Sequence, residues 1–264
     1  MSIKISGTGS FIPKNIIKNN NFLDSEFYDK NGEPYPNSNK DIIEKFELIT
    51  GIKERRYADK NHNTSDLATF ASIEAIQDAG IDKEEIDYII VAHNFGEIDY
   101  NTNQYIALPS VATLVKHKLE ISNENCVAYD IIFGCPGWVE GIIQAKAFIN
   151  SGMAKKCLVI GADTLSRTVD KNDRDSLIFA DGAGAAIVEK SEDGGGILSH
   201  KTITKAGKEA LYLFCKNSYS PKIKSKTKFI KMNGRKVYEF AISTIPNALK
   251  SCIEKSGKNI DCLL

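Results

Sequence analysis

No Cys-x-x-Cys pair occurs among the six cysteines of this 264-residue chain, and no histidine stands at a metal-type spacing from them. That argues against a zinc site and against a disulfide framework, so the expectation is a metal-free protein of a reducing cytoplasm. Net charge is missing too: 34 basic residues balance 34 acidic ones, which leaves no global field to draw nucleic acid or an anionic membrane. No apolar run reaches the roughly 18 residues that span a bilayer. The opening Met1-Ser2-Ile3-Lys4-Ile5-Ser6-Gly7 has no long apolar segment behind a basic cap, so no signal peptide is expected. Low-complexity tracts and short repeats are absent. Gly7-Thr8-Gly9 lacks the third glycine and following helix of a nucleotide loop, and Pro13 interrupts, so a tight turn is expected there.

What is present is an alternation of strand and helix patterns. A hydrophobic content of 42 % with 26 % charged residues is that of a globular chain able to bury a full core. Ile3–Gly7 reads as a strand, 29–40 as a polar loop and 40–48 as a helix. Ser65 is the expected cap of the next helix, which presents Leu67, Phe70, Ala71 and Ala75 and stops at Gly80. Ile86–Ala92 is a near-continuous apolar run, the pattern of a strand covered on both faces. A helix at Ser110–Lys118, opened by Pro109, precedes a strand at Cys126–Phe133. Strands at Cys157–Gly161 and Ala183–Val188 follow, giving an α/β chain with a mostly parallel sheet between helix layers. Glu192–Gly196 is a glycine-rich seam, followed by an expected strand at Ile197–Thr204 and a lysine-rich loop over 216–231. A long helix is expected from Asn233 to about Lys255, kinked or split at Pro246. The last residues, Asn259–Leu264, look like the first residues of a strand, which implies a piece of a longer protein.

The strongest chemical signal lies in Asp130-Ile-Ile-Phe-Gly-Cys135-Pro136-Gly137-Trp138. An apolar strand ends in Gly134, and proline suits the first turn of the helix that follows. Val139, Ile142, Ile143 and Ala147 keep the helical spacing, and Gly152 stops it. Cys135 would then sit at the positive end of a helix, where a thiolate is favoured, and could attack a carbonyl or thioester carbon. The structural alternative is a buried, inert thiol. Cys126 and Cys157, inside strand-like runs, read as core. His93 ends a strand and could face a cleft, although a structural role is the plainer reading. Trp138 reads as a core side chain.

These motifs, in order, resemble the β-ketoacyl-acyl carrier protein synthase III family of the thiolase-like superfamily. The resemblance runs through Gly7-Thr8-Gly9-Ser10 with Pro13, Thr50-Gly51-Ile52 with Glu54-Arg55-Arg56, Ser65-Asp66-Leu67-Ala68 and Pro109-Ser110. It continues with the Cys135 segment, Ile160-Gly161-Ala162-Asp163, Ser166-Arg167, Asp170, Asp173-Arg174, Phe179–Ala185 and Met232-Asn233-Gly234 with Val237. It implies a layered αβαβα sandwich of two similar halves, with residues 1–192 as a complete first half carrying the nucleophile and 193–264 as the partial second half. It also implies a homodimer.

The chemistry implied is acyl transfer to Cys135, then decarboxylative Claisen condensation with malonyl-acyl carrier protein in fatty acid or related lipid biosynthesis. Acyl-CoA and malonyl-acyl carrier protein are substrates, acyl carrier protein is the partner, and no cofactor is required. The family's His-Gln-Ala-Asn motif and later asparagine would lie beyond Leu264, so this chain alone is expected not to condense. Arg174 and Thr50 match residues on the coenzyme A side; a salt bridge and a helix-end cap are their structural alternatives. The family's tryptophan and arginine before Thr-Gly-Ile are replaced by Lys45 and Ile49, which weakens the case for an acetyl-CoA primer and points toward a carrier-borne or unusual acyl donor. Lys231, Arg235 and Lys236 are candidates for docking the acidic carrier, or else a solvated helix face. Two alternatives remain: a non-catalytic ketosynthase-like subunit that only binds acyl carriers, or another thiolase-like CoA-thioester synthase of the hydroxymethylglutaryl-CoA type.

Overall fold

A computed structural model describes residues 2–192 and 195–259. The chain runs through β1 (Ile3–Phe11), β2 (Asn15–Lys18), α1 (Asn39–Thr50), β3 (Glu54–Tyr57), α2 (Thr64–Ala79), β4 (Tyr88–His93), β5 (Glu97–Ile98), β6 (Tyr105–Ile106) and α3 (Val111–Lys118). It continues with β7 (Val127–Ile132), α4 (Gly137–Asn150), β8 (Lys156–Thr164), β9 (Asp181–Lys190), β10 (Leu213–Lys216), β11 (Phe229–Met232) and α5 (Gly234–Ser256).

Five strands form the central sheet in the order β1-β9-β8-β4-β7. β4 is parallel to both β7 and β8, whereas β9 is antiparallel to both β8 and β1. The expectation of a mostly parallel sheet is therefore corrected to a mixed one. A parallel return needs a helical crossover, but the segment between β8 and β9 contains only two short 3-10 turns, Leu165–Arg167 and Arg174–Ile178.

Helices cover both faces of the sheet. Ala68, Ala71 and Ala75 of α2 and Val111, Ala112 and Val115 of α3 bury against Ile89, Val91, Leu158, Ile160 and Ile187. On the other face Ile142, Ala145 and Ile149 of α4 pack on Cys157, Val159 and Val188. Small residues on α2 bring its backbone down onto β1, and this explains Gly7 and Gly9. A Cβ on Gly7 would lie 2.4 Å from the Ala79 nitrogen, and one on Gly9 would lie 2.2 Å from the Ala71 oxygen. The pair sits inside a nine-residue strand rather than in the expected turn.

Several local expectations shift. Asn63, not Ser65, is the N-cap of α2, and Asp66 Oδ2 accepts its N–H at 2.7 Å. Ser65 lies inside the helix and gives both its N–H and its hydroxyl to Glu97, at 2.9 and 2.8 Å. Gly80 closes α2 in the left-handed conformation, φ 63°, as expected. Residues 197–204 are irregular rather than a strand. Only one backbone bond ties this stretch to the sheet, from Ile197 N–H to Ile3 O at 3.0 Å. Asn259 is the last residue described, so the strand expected over 259–264 lies outside the described residues apart from it. α5 runs unbroken across Pro246, with Asn233 as its N-cap and Gly257 (φ 68°) as its C-cap.

Lys231 is the largest departure. It is fully buried on β11, with Nζ 2.5 Å from Asp170 Oδ2, 3.1 Å from Asp173 Oδ2 and 3.5 Å from the centre of the Tyr219 ring. Arg235 and Lys236 both pair with Glu239, at 2.9 and 2.7 Å. The proposed carrier-docking trio is thus reduced: Lys231 is part of an internal ion pair, while Arg235 and Lys236 stay exposed and share one carboxylate, Glu239.

Candidate active site

The parallel strands β4, β7 and β8 end on the same side, where ligands meet open α/β sheets. β7 gives way to a turn anchored on β4: Phe133 N–H donates to His93 O at 3.2 Å, and Gly137 N–H to Gly134 O at 3.0 Å. Gly134 adopts φ 25°, a conformation that side chains disfavour. Pro136 is the N-cap of α4 and Gly137 its first residue, so the proline stands one place earlier than the sequence suggested. Cys135 rides on the outside of this turn, just ahead of the helix end where partial positive charge collects.

Cys135 is solvent-exposed. Cys126 and Cys157 are buried, as expected, and burial pushes their thiols up to about 11 and about 12. Cys135 opens on a pocket of about 220 Å³ whose walls are Ala92, Trp138, Gly161, Ala162, Ala180 and Gly182, with Asp163 as the remaining lining residue. The small residues of the Phe179–Ala185 segment thus leave room beside the sulfur. Trp138 both packs on the core and faces the pocket.

Sequence reasoning missed the polar floor. Asp163 accepts hydrogen bonds from Asn94 N–H at 3.1 Å, Asn94 Nδ2 at 2.7 Å and, more weakly, Phe95 N–H at 3.4 Å. Burial raises its carboxyl above the ordinary range, against the pull of these donors and of His93. His93 itself is 2 % exposed and does not line the pocket. Its Nε2 meets Asp130 Oδ2 at 3.0 Å, and its buried Nδ1 has no hydrogen-bond partner among the described residues. Asp130 also accepts the Val111 and Ala112 N–H groups at the start of α3, at 2.8 and 2.7 Å. The one advance sign was the placement of Asn94 and Asp163 at the ends of apolar strands.

Thr50 and Arg174 lie apart from this pocket lining. The Thr50 hydroxyl donates to Phe46 O at 2.7 Å and accepts the Ile52 N–H at 3.1 Å, closing the end of α1. Arg174 stacks 4.5 Å over the Tyr35 ring, with Nε 3.7 Å from Asp175. Both structural alternatives are therefore present. Lys45 and Ile49 are exposed on α1.

A layered α/β sheet with a cysteine exposed at a helix start, opening on a small-residue pocket, is the arrangement that the resemblance to the thiolase-like class implies. The family described as 3-oxoacyl-[acyl-carrier-protein (ACP)] synthase III matches residues 129–206. A β-ketoacyl-[acyl-carrier-protein] synthase III of Staphylococcus epidermidis is 36 % identical over 258 residues, covering 97 % of this chain and 72 % of that protein. One of Fusobacterium nucleatum is 36 % identical over 269 residues, covering 99 % and 75 %. The crystal structure of 3-oxoacyl-[acyl-carrier-protein] synthase III from Aquifex aeolicus superposes with a TM-score of 0.78 at 31 % identity, covering 97 % of this chain and 73 % of that one. The chain belongs to the β-ketoacyl-acyl carrier protein synthase III family, whose members are condensing acyltransferases.

Proposed function

We propose that Cys135 is the acyl-accepting nucleophile of this enzyme. Its sulfur attacks the carbonyl carbon of an acyl thioester, the donor thiol leaves, and the acyl group stays on the enzyme. In the family's full reaction, whose decarboxylating histidine and asparagine are not found among the described residues, malonyl-acyl carrier protein then loses carbon dioxide. The resulting enolate carbon attacks the acyl-enzyme carbonyl, releasing the Cys135 thiolate and a β-ketoacyl product on the carrier. The observation that carries this reading is the exposure of Cys135 just ahead of α4, on a pocket of about 220 Å³ that the ends of β4 and β8 line. Intact-mass measurement after incubation with acyl thioesters tests it. One acyl adduct per chain is expected on the native protein and none on Cys135→Ser. Absence of any adduct would favour the non-catalytic carrier-binding reading.

The donor side is proposed to differ from a plain acetyl-CoA site. Lys45 and Ile49 stand on α1 where the family resemblance places an aromatic ring and a cation, while Arg174 already stacks on Tyr35. Thr50 and Arg174 remain donor-side candidates on the family resemblance alone, and a carrier-borne or unusual acyl group is the proposed donor. Comparing acylation rates of Cys135 from matched CoA and carrier donors decides between them.

The proposed division of the chain into halves 1–192 and 193–264 is supported by the central sheet ending at Lys190, with β10, β11 and α5 forming separate elements. A homodimer is proposed through β7, an edge strand whose Val127 and Ile132 are 46 % and 73 % exposed. No helix among the described residues is long and apolar enough to cross a membrane. A cytoplasmic location is proposed from the cysteine pattern of the sequence.

A further inference from the structure

We propose that Asp163, acting through Asn94, is the positioning residue that holds the Gly134–Cys135 turn in the geometry acylation requires. The inference rests on Cys135 being the nucleophile, and it assigns a task to a carboxyl group that the reaction itself does not use.

Asn94 sits between two partners. On one side its backbone N–H and its side-chain Nδ2 both donate to Asp163. On the other side its Oδ1 borders Gly134: a Cβ built there would meet it at 3.4 Å, an ordinary van der Waals distance. The preceding residue, His93, takes the Phe133 N–H on its carbonyl. The turn carrying Cys135 is therefore hydrogen-bonded to the end of β4 at His93 and borders Asn94 just beyond it, and where the β4–β8 ladder ends at Ala92–Gly161 the Asp163 carboxylate takes over as the tie between the two segments. Asp163 also lines the Cys135 pocket directly.

A carboxylate suits this clamp because it is an acceptor only. Asp163 receives N–H groups on both oxygens, and protonating it places an O–H where one of those donors now points. Protonation is expected to loosen the bend at Asn94 and Phe95, whose N–H groups Asp163 accepts, and with it the neighbouring turn. Burial brings that event within reach, since it moves the Asp163 carboxyl toward neutrality from the ordinary acid range. The other titratable groups around Asp163 are His93 on β4, which is held to Asp130 on β7, Cys135 in the shared pocket, and Asp181 at the start of β9, the strand paired with β8. Asp181 is engaged separately, by Ser166 and by the Ala58 N–H.

The test is a ratio. Cys135 is acylated with acetyl-N-acetylcysteamine and, in parallel, alkylated with iodoacetamide from pH 4.5 to 8.5. Both reactions depend on the thiolate, so its titration cancels in the quotient, whereas attack on a carbonyl also needs the turn in place. The native protein is expected to show a fall of at least fivefold in the acylation-to-alkylation ratio on the acid side, with a midpoint above the ordinary aspartate range. Asp163→Asn should abolish that inflection and leave the ratio low throughout. Asn94→Ala keeps the titrating carboxyl but removes one of its donors; it should lower the ratio and move the inflection to higher pH. It also serves if Asp163→Asn fails to fold. A flat native ratio, or Asp163→Asn and Asn94→Ala profiles that match the native one, would overturn the positioning role. Normal alkylation with no acylation of the native protein would instead overturn the acyl-transfer reading.

Discussion

Asp175 shows how a single side chain can set a pH dependence. Burial, reinforced by neighbouring Asp173, raises its carboxyl to about 6, only partly offset by Arg174 and Lys231. The folded chain therefore holds this proton more tightly than the unfolded chain, whose ordinary value is 3.8. Between those values the fold gains stability from this group as pH falls and loses it as pH rises. Asp175→Asn is expected to raise stability by about 1–2 kcal/mol at pH 7.5 and by nearly nothing at pH 4. Urea midpoints at the two pH values measure this, and equal effects at both would refute it. Lys231 works in the opposite sense. Lys231→Met would leave Asp170 and Asp173 buried without their cation, at an expected loss of about 3–5 kcal/mol. Replacing Asp170 by Asn in the same chain should recover part of that loss, which chemical denaturation can show.

At the level of elements, the contact between β1 and α2 is the tightest constraint. Gly9→Val should force the strand off the helix and cost about 3 kcal/mol or more, whereas the same change at Gly184 on β9, where a Cβ would meet nothing within 4 Å, should cost far less. Thermal melts of the two variants make the comparison. The sequence disclosed a good deal here, because periodic patterns and caps are local. The helix after Cys135, the helix ending at Lys118 and the long reach of α5 all stand where apolar spacing put them, with Ser110 as the cap of α3 rather than its first residue. Pro246 was readable as a break, yet the helix absorbs it. What could not be read was non-local. The reversal of β9 depends on a connection that forms no helix. The turn expected at Gly7–Gly9 is a strand, because the close approach that selects glycine comes from α2. At the site, Cys135 was legible from its own neighbours. The Asn94–Asp163 clamp joins residues 69 positions apart, and no pattern in either segment announces the other.

For the molecule as a whole, the open edge of the sheet at β7 is the expected assembly surface. Ile132→Lys should raise the dimer dissociation constant at least tenfold while leaving the secondary structure intact, and sedimentation velocity over a concentration series reads this directly. Unchanged self-association would place any dimer contact elsewhere. One further feature makes the enzyme convenient to follow. Trp138 is the sole tryptophan of the chain, and it borders the cavity that holds Cys135. Its intrinsic emission is therefore a built-in optical reporter. Loading of an acyl group beside the indole should change its fluorescence in a stopped-flow trace, giving time courses in real time with no label attached.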